Sequence, residues 1–376
     1  DQPRSRGLGD VYKRQISNTF FAIFPEISPE LIALISEARF FSNTLKIKSQ
    51  QRVSLSTENP ETLLKAMLAL WMREVVAVPL NPQIPEKQKM EMLQKIDCTF
   101  SYSELLHKFK SHPTYVNSLQ PNPVENSNAV YGNEINSINP KDWATIIFTS
   151  GSTGSPKAVV HSLANHFYNA LGANERMPLN PGDRWLLSLP VYHVSGLAIL
   201  FRTLLSGAAM VIPAKNVSLS ETLLSRRFTH LSLVPTQLHR LLQTTKGKDA
   251  LCQLKLILLG GASIPETLLE QSAQLGLNVQ TTYGSTEMAS QVATGKSGFY
   301  QVLPFREVRI AADNEVEVRG KIVFLGYLDG TGLHQPFDEN GWFKTGDIGF
   351  WCSKDTKNKG DMDSFKINGR KDSMFI

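Results

Sequence analysis

The sequence predicts an α/β protein of mostly parallel strands covered by helices, with a β-rich region near its end. Two observations carry this. From Trp143 to Thr281 short apolar runs alternate with stretches of helical spacing, the order that lays parallel strands beneath crossover helices. After Val302 the pattern turns to short strands alone, which predicts a small β subdomain.

The elements follow in order. Glu61–Met72 has apolar residues at helical spacing, Val75–Leu80 is a buried strand, Asn81-Pro-Gln a turn, and Pro85–Lys95 a second helix. Residues 113–140, rich in Asn, Pro and Ser and without period, read as a linking surface segment. The apolar run Trp143–Phe148 is a buried strand. Strands are then expected at Trp185–Leu189, Ala208–Ile212, Leu231–Val234, Lys255–Leu259 and Asn278–Thr281. The helices between them are Leu197–Leu205, Leu219–Arg227, Thr236–Thr244 and Pro265–Leu275. Val308–Ile310, Glu315–Arg319 and Lys321–Phe324 supply the late strands. The expected organisation is a tail without function over residues 1–15, a first α/β subdomain with its linking segment over 16–140, and a second over 141–301. The β subdomain covers 302–368 and a hinge 369–376.

Composition sets bounds. With 376 residues, 41% of them hydrophobic, the chain can bury a large core and form more than one domain or subdomain. The net charge of +5 is spread among nearly as many acidic residues, which suits a nucleotide ligand and no nucleic-acid role. Even the basic stretch Lys354–Lys371 is interleaved with Asp355, Asp361 and Asp363, as in a solvated loop. Cys98, Cys252 and Cys352 are far apart and form no CxxC pair, so neither a disulfide framework nor a zinc site is expected, and a reducing cytoplasm fits. The longest apolar stretch, Gly196–Pro213, is broken by Arg202, Thr203, Ser206 and Gly207, so no membrane span is expected. The basic residues before Ile16–Phe24 lack a cleavage site, and secretion is not supported. The sequence does not disclose the oligomeric state, and a homo-oligomer stays open.

The chemistry starts at Thr149-Ser150-Gly151-Ser152-Thr153-Gly154-Ser-Pro-Lys157. Glycines let backbone N–H groups turn toward an anion, hydroxyls add donors and Lys157 adds a point charge, which together make a polyphosphate cradle. A Walker A loop is excluded, because Lys157 follows Pro156 and precedes Ala158-Val-Val, a stretch that favours extended chain over helix. The plain alternative is a Ser/Gly linker.

Further on, Gly260-Gly261-Ala262 leads from a strand end toward a helix begun by Pro265, where bare backbone admits a flat ring. Thr282-Tyr283-Gly284-Ser285-Thr286-Glu287 offers an aromatic ring for a base, a hydroxyl for phosphate and a carboxylate for a hard cation. In Trp342-Phe-Lys-Thr-Gly-Asp347 a carboxylate follows a turn, placed to accept ribose hydroxyls, and Gly369-Arg370-Lys-Asp372 adds a guanidinium. Each also has a structural reading, as a tight turn, a capped helix start or a hairpin.

In this order and at these separations the motifs resemble the adenylate-forming superfamily of acyl-CoA synthetases, luciferases and peptide-synthetase adenylation domains, over roughly Val53–Ile376. The resemblance implies the large N-terminal domain of such enzymes, with two mostly parallel helix-covered sheets, ATP and Mg2+ as cofactors and CoA as co-substrate. By the same resemblance Thr149, Ser150, Gly151, Ser152, Thr153, Gly154 and Lys157 hold the leaving phosphates, and Thr286 and Glu287 serve the α-phosphate and metal. Gly260, Gly261, Ala262 and Tyr283 flank adenine, Thr282 and Gly284 join the nucleotide-binding set, and Asp347 and Arg370 bind ribose. The segment Trp185–Arg202 looks most like members that activate an aromatic keto acid carrying two carboxylates. It implies His193, Ser195 and Gly261 beside the acyl group, with Arg202 as candidate for the second carboxylate. Catalytic roles fall to Lys157, His193, Thr286 and Glu287. Another acyl- or aryl-CoA synthetase, or a non-catalytic nucleotide-binding protein, stays open at this point. Superfamily members continue past the GRxD hinge into a mobile domain that supplies a catalytic lysine. The sequence given stops at Ile376, so it is expected to bind ATP or acyl-AMP, adenylate slowly and make thioester poorly.

Overall fold

The computed structural model describes residues 48–71, 73–98, 100–101, 142–149, 156–352 and 364–373. The tail over 1–15, the linking segment 113–140 and Ser150–Gly154 of the hydroxyl loop lie outside them. The chain divides into two compact units, residues 1–163 with 328–332, and residues 164–327 with 333–376.

The first unit is built on a seven-stranded sheet. Val76–Leu80 is buried along its whole length, as an unbroken apolar run in a parallel sheet must be. Arg52–Ser56 and Trp143–Thr149 pair with it in parallel on either side, and Phe100–Ser101 continues beyond Arg52–Ser56. Lys157–Ser162 returns antiparallel to Trp143–Thr149, with Thr149 opposite Lys157. The last two strands, Gly326–Asp329 and Gly332–His334, bracket the return of the chain at 328–332. Helix Pro60–Trp71 buries Leu63, Leu64, Met67, Leu68 and Trp71, and Trp71 donates its indole N–H to the Ala144 carbonyl at 2.8 Å. That bond satisfies the one polar atom of a fully buried ring.

The second unit carries an eleven-stranded sheet. From one edge run Ala209–Val211, Arg184–Leu186, His230–Leu233, Leu256–Leu259 and Val279–Tyr283, all parallel. Leucines of these strands pack with Leu238, Leu241, Leu251 and Leu268 from the covering helices. Those helices are Leu219–Ser225, Pro235–Leu242, Thr245–Cys252 and Glu266–Gln274. Beyond Val279–Tyr283 every pairing becomes antiparallel, through Ala293–Lys296, Phe299–Val302, Ser364–Arg370, Phe343–Trp351, Glu315–Gly320 and Arg306–Ile310. The β-rich region is therefore hydrogen-bonded into the same sheet as the parallel strands.

Most expected elements lie within a residue or two of their observed bounds. The strand expected at Lys321–Phe324 is a turn instead, because its backbone donors leave any ladder. Lys321 N–H bonds the Phe305 carbonyl at 3.0 Å, Val323 N–H bonds Gly320 at 3.3 Å, and Phe324 N–H bonds Glu287 at 2.8 Å. The apolar stretch after Gly196 forms helix Val194–Ser206. No helix among the described residues is long and apolar enough to cross a membrane.

Candidate functional site

In the second unit the antiparallel half of the sheet draws three motif residues together. Tyr283 donates its hydroxyl to Asp347 Oδ2 at 2.7 Å, and Arg370 donates Nη1 to Asp347 Oδ1 at 3.3 Å and to the Thr345 carbonyl at 2.9 Å. Register explains this: Asp347 lies opposite Arg370 across two paired strands. The turn expected before Asp347 is instead part of strand Phe343–Trp351, bent at Gly346 with a φ of 75°, and Thr345 fixes the bend with a hydroxyl that donates to the Val316 carbonyl and accepts Asp347 N–H. Glu315 holds it from below, accepting Gly346 N–H at 3.0 Å and Lys371 Nζ at 2.9 Å.

Burial raises the Asp347 carboxyl above its ordinary value, against the pull of Tyr283 and Arg370 beside it. Burial, and next the Asp347 charge, push the Tyr283 phenol well up, so it stays a donor. Each Asp347 oxygen has one protein partner and keeps a lone pair for another hydroxyl. The Tyr283 ring packs edge-on against Phe365 at 5.9 Å and tilted against Tyr300 at 6.0 Å, which holds it in one orientation.

Thr286 and Glu287 open a 3-10 turn, Thr286–Met288, directly after this strand. Glu287 is held at both ends: Oε1 accepts the Tyr327 hydroxyl at 2.8 Å, and its carbonyl accepts Phe324 N–H at 2.8 Å. The turn is not relaxed, since Ala289 and Ser290 have φ of 50° and 117°. It is clamped by Asn169, which donates to the Met288 and Gln291 carbonyls at 3.0 and 2.9 Å. One helical turn earlier, Asn165 donates to the Lys321 and Val323 carbonyls and so fixes the segment that leads to Phe324. A single partly exposed carboxylate is what magnesium uses when phosphates and waters complete its shell, and the Ser285 hydroxyl is buried without a partner beside it. No group of three or more His, Cys, Asp or Glu side chains that could hold a metal gathers among the described residues.

The glycine pair has a structural cause. A Cβ on Gly260 would meet Thr282 Cγ2 at 2.3 Å, and Gly261 has φ of 85°. The pair nonetheless leaves Gly261 and Ala262 exposed at the strand end. His193 precedes helix Val194–Ser206 in extended conformation, its ring 4.8 Å from that of Tyr192. Desolvation there lowers its pKa, so the neutral imidazole prevails at pH 7. Ser195 lies in the first turn of that helix, half-buried. Arg202 faces inward at 2% exposure, where it donates to Gln291 Oε1 and stacks over the Trp185 ring at 5.3 Å.

In the first unit, Thr149 and Lys157 face each other at the ends of two antiparallel strands, so Lys157 starts a strand and not the first helical turn that a Walker lysine occupies. Sequence reasoning gave no role to Tyr327, Thr345, Glu315, Gln291, Asn165 or Asn169. The available signal was Asn165 and Asn169, two amides four residues apart and so on one face of a helix.

A sheet whose strand ends gather a carboxylate, a phenol, a guanidinium and a cation-type glutamate is that of a nucleotide-binding α/β protein. The chain belongs to the AMP-binding enzyme family, whose profile matches residues 36–328. It is 38% identical over 294 residues, 77% of its length, to the 2-succinylbenzoate--CoA ligase of Salmonella typhimurium, and spans 61% of that protein. Among solved structures it is similar to E. coli MenE with a bound m phenylether-linked analogue of OSB-AMS, at 32% identity and a TM-score of 0.72, covering 91% of this chain and 72% of that one. The fold is shared with O-succinylbenzoate Coenzyme A Synthetase from Bacillus subtilis in complex with ATP and magnesium ion, at 24% identity and a TM-score of 0.71, covering 91% and 74%.

Proposed function

We propose that this chain belongs to an ATP-dependent acid–thiol ligase that activates 2-succinylbenzoate as an acyl-adenylate and passes it to CoA, in the cytoplasm. The observation that carries the nucleotide half is the Tyr283–Asp347–Arg370 cluster. The acyl half rests on the relatives named for that acid and on Arg202, a buried cation suited to the carboxylate that is not activated.

The chemistry asks little proton transfer of the protein, because the attacking carboxylate is already ionised at neutral pH. Asp347 accepts the ribose hydroxyls, Tyr283 and Arg370 hold Asp347, and exposed Gly261 and Ala262 offer backbone to adenine. Glu287 would hold magnesium, which supplies charge stabilisation at the α-phosphate, and Thr286 adds a hydroxyl donor there. In the first unit, the Ser and Thr hydroxyls of residues 149–155 and Lys157 suit the departing pyrophosphate by residue type. Neutral His193 and Ser195 flank the acyl group.

ATP–pyrophosphate exchange with 2-succinylbenzoate, benzoate and octanoate tests the reading, and selective stimulation by the first is expected. Equal stimulation by all three would remove the substrate assignment. A pH series tests the ribose site. The ribose acceptor must be charged, and the folded protein raises the Asp347 pKa, so nucleotide affinity should start to fall on acidification at a pH above the ordinary 3.8. The same shift means that folding gains stability from this group as pH falls, so the affinity loss should precede any unfolding. In Asp347→Asn that acid step should vanish from a calorimetric titration.

A further inference from the structure

Two guanidiniums lie buried in the second unit with no ion pair among the described residues. Arg202 is 2% exposed and Arg306 is 6% exposed, and burial pulls each down to about 9, which leaves both charged at neutral pH. Their mutual repulsion adds to the shift of Arg306. Glu175 lies near enough to act on Arg306, whereas no carboxylate among the described residues offsets Arg202, and taking like charges out of water is costly, so each needs an explanation.

Arg306 has a structural one. It donates to three main-chain carbonyls, those of Pro304, Gln291 and Asn169, and so locks the loop that crosses beneath it. Arg202 differs. Its partners are the face of Trp185 and one side-chain oxygen, Gln291 Oε1, and its Nε has no partner. A neutral amide stands where a buried arginine ordinarily meets a carboxylate.

The orientation of that amide is fixed by its other end. Thr282 donates its hydroxyl to the Ala293 carbonyl at 3.3 Å, so its oxygen must accept from Gln291 Nε2, 2.8 Å away. Oε1 is thereby turned toward Arg202. Asn169 and Arg306, both bonded to the Gln291 carbonyl, hold its backbone. One buried side chain thus joins Arg202 to the residue before Tyr283.

We infer that Gln291 is a specificity-determining residue: it aims the Arg202 guanidinium while leaving its charge uncancelled, so that a carboxylate of the acyl substrate supplies the missing counter-ion. The inference rests on the assignment of Arg202 to the acyl carboxylate made above. Glutamate in this place would have the same shape and would cancel the charge. An apolar residue would leave an Arg202 N–H without an acceptor.

The test uses Gln291→Glu, Gln291→Met and Arg202→Met in the full chain, with calorimetric binding of 2-succinylbenzoate, of its two mono-methyl esters and of ATP, and with melting temperatures. Gln291→Glu should melt higher than the parent and bind the diacid about 10-fold to 100-fold more weakly, the worth of one charge-assisted hydrogen bond, with ATP affinity unchanged. Its preference for the diacid over the better-bound monoester should disappear. Gln291→Met, still neutral, should keep that preference and melt lower. Unaltered diacid binding in Gln291→Glu, a parallel loss of ATP and diacid affinity, or a lower melting temperature for that variant would each overturn the inference. Arg202→Met separates the two levels. If it leaves diacid binding intact, the Arg202 assignment itself fails; if it abolishes binding while Gln291→Glu does not, only the role of Gln291 fails.

Discussion

Glu287→Gln is expected to lower ATP–pyrophosphate exchange by about 100-fold to 1000-fold, the cost of removing one preorganised charge-stabilising group. The substitution is close to isosteric and leaves an oxygen to accept the Tyr327 hydroxyl, while the Phe324 N–H still finds the same main-chain carbonyl. The 3-10 turn should therefore survive and the melting temperature barely move. What is lost is the negative charge, and with it a hard-cation ligand. The magnesium concentration needed for half-maximal exchange should rise, and Mn2+ binding followed by electron paramagnetic resonance should weaken in the presence of ATP. An unchanged metal titration would remove Glu287 as ligand whatever the rate did.

The parts of this site differ in how far they could be read from sequence, for physical reasons. Parallel strands and their covering helices are written locally, because each apolar run or stripe announces its own burial. Helix Leu163–Arg176 escaped because buried Asn165, His166 and Asn169 interrupt the apolar stripe of Leu163, Phe167, Ala170 and Ala173. Those amides are inside because main-chain carbonyls of two distant turns need donors there. The motif residues Tyr283, Glu287, Asp347 and Arg370 stood out by type and flanking turn. Their mutual bonds did not, since Tyr283 meets Asp347 across 64 positions through antiparallel pairings with no local signature, and Glu287 in its 3-10 turn meets Tyr327 across 40. Lys321–Phe324 shows the converse failure. Its residues have strand character, but its N–H groups find better partners in a turn, and one of those partners is Glu287.

Gly284→Ala should show how tightly the two halves of the second unit's site are joined. Gly284 needs no unusual φ; what forbids a side chain is the return of its own loop. A Cβ there would lie 1.7 Å from the Ser290 carbonyl oxygen, 2.8 Å from its carbon and 2.9 Å from Gln291 Cα. All three are backbone atoms, and they cannot swing aside. Val292 N–H bonds the Tyr283 carbonyl at 2.8 Å, and Asn169 and Arg306 grip the Gln291 carbonyl, so the loop cannot open without losing bonds to buried groups. A destabilisation of about 3 kcal/mol or more follows, at the upper end for overpacking. In a unit of this size that lowers the melting temperature by roughly 6–12 °C. Function should fail in a diagnostic way. Displacing residues 284–291 moves Glu287 and Gln291 together, so metal-dependent nucleotide binding and diacid binding should weaken in parallel, whereas Glu287→Gln and Gln291→Glu each impair one of them. Ser290→Gly offers the counter-test, because Ser290 carries a φ of 117° that glycine adopts freely. Added to Gly284→Ala it should restore part of the stability and both affinities together. Recovery of one affinity without the other would mean that the loop is two independent devices rather than one.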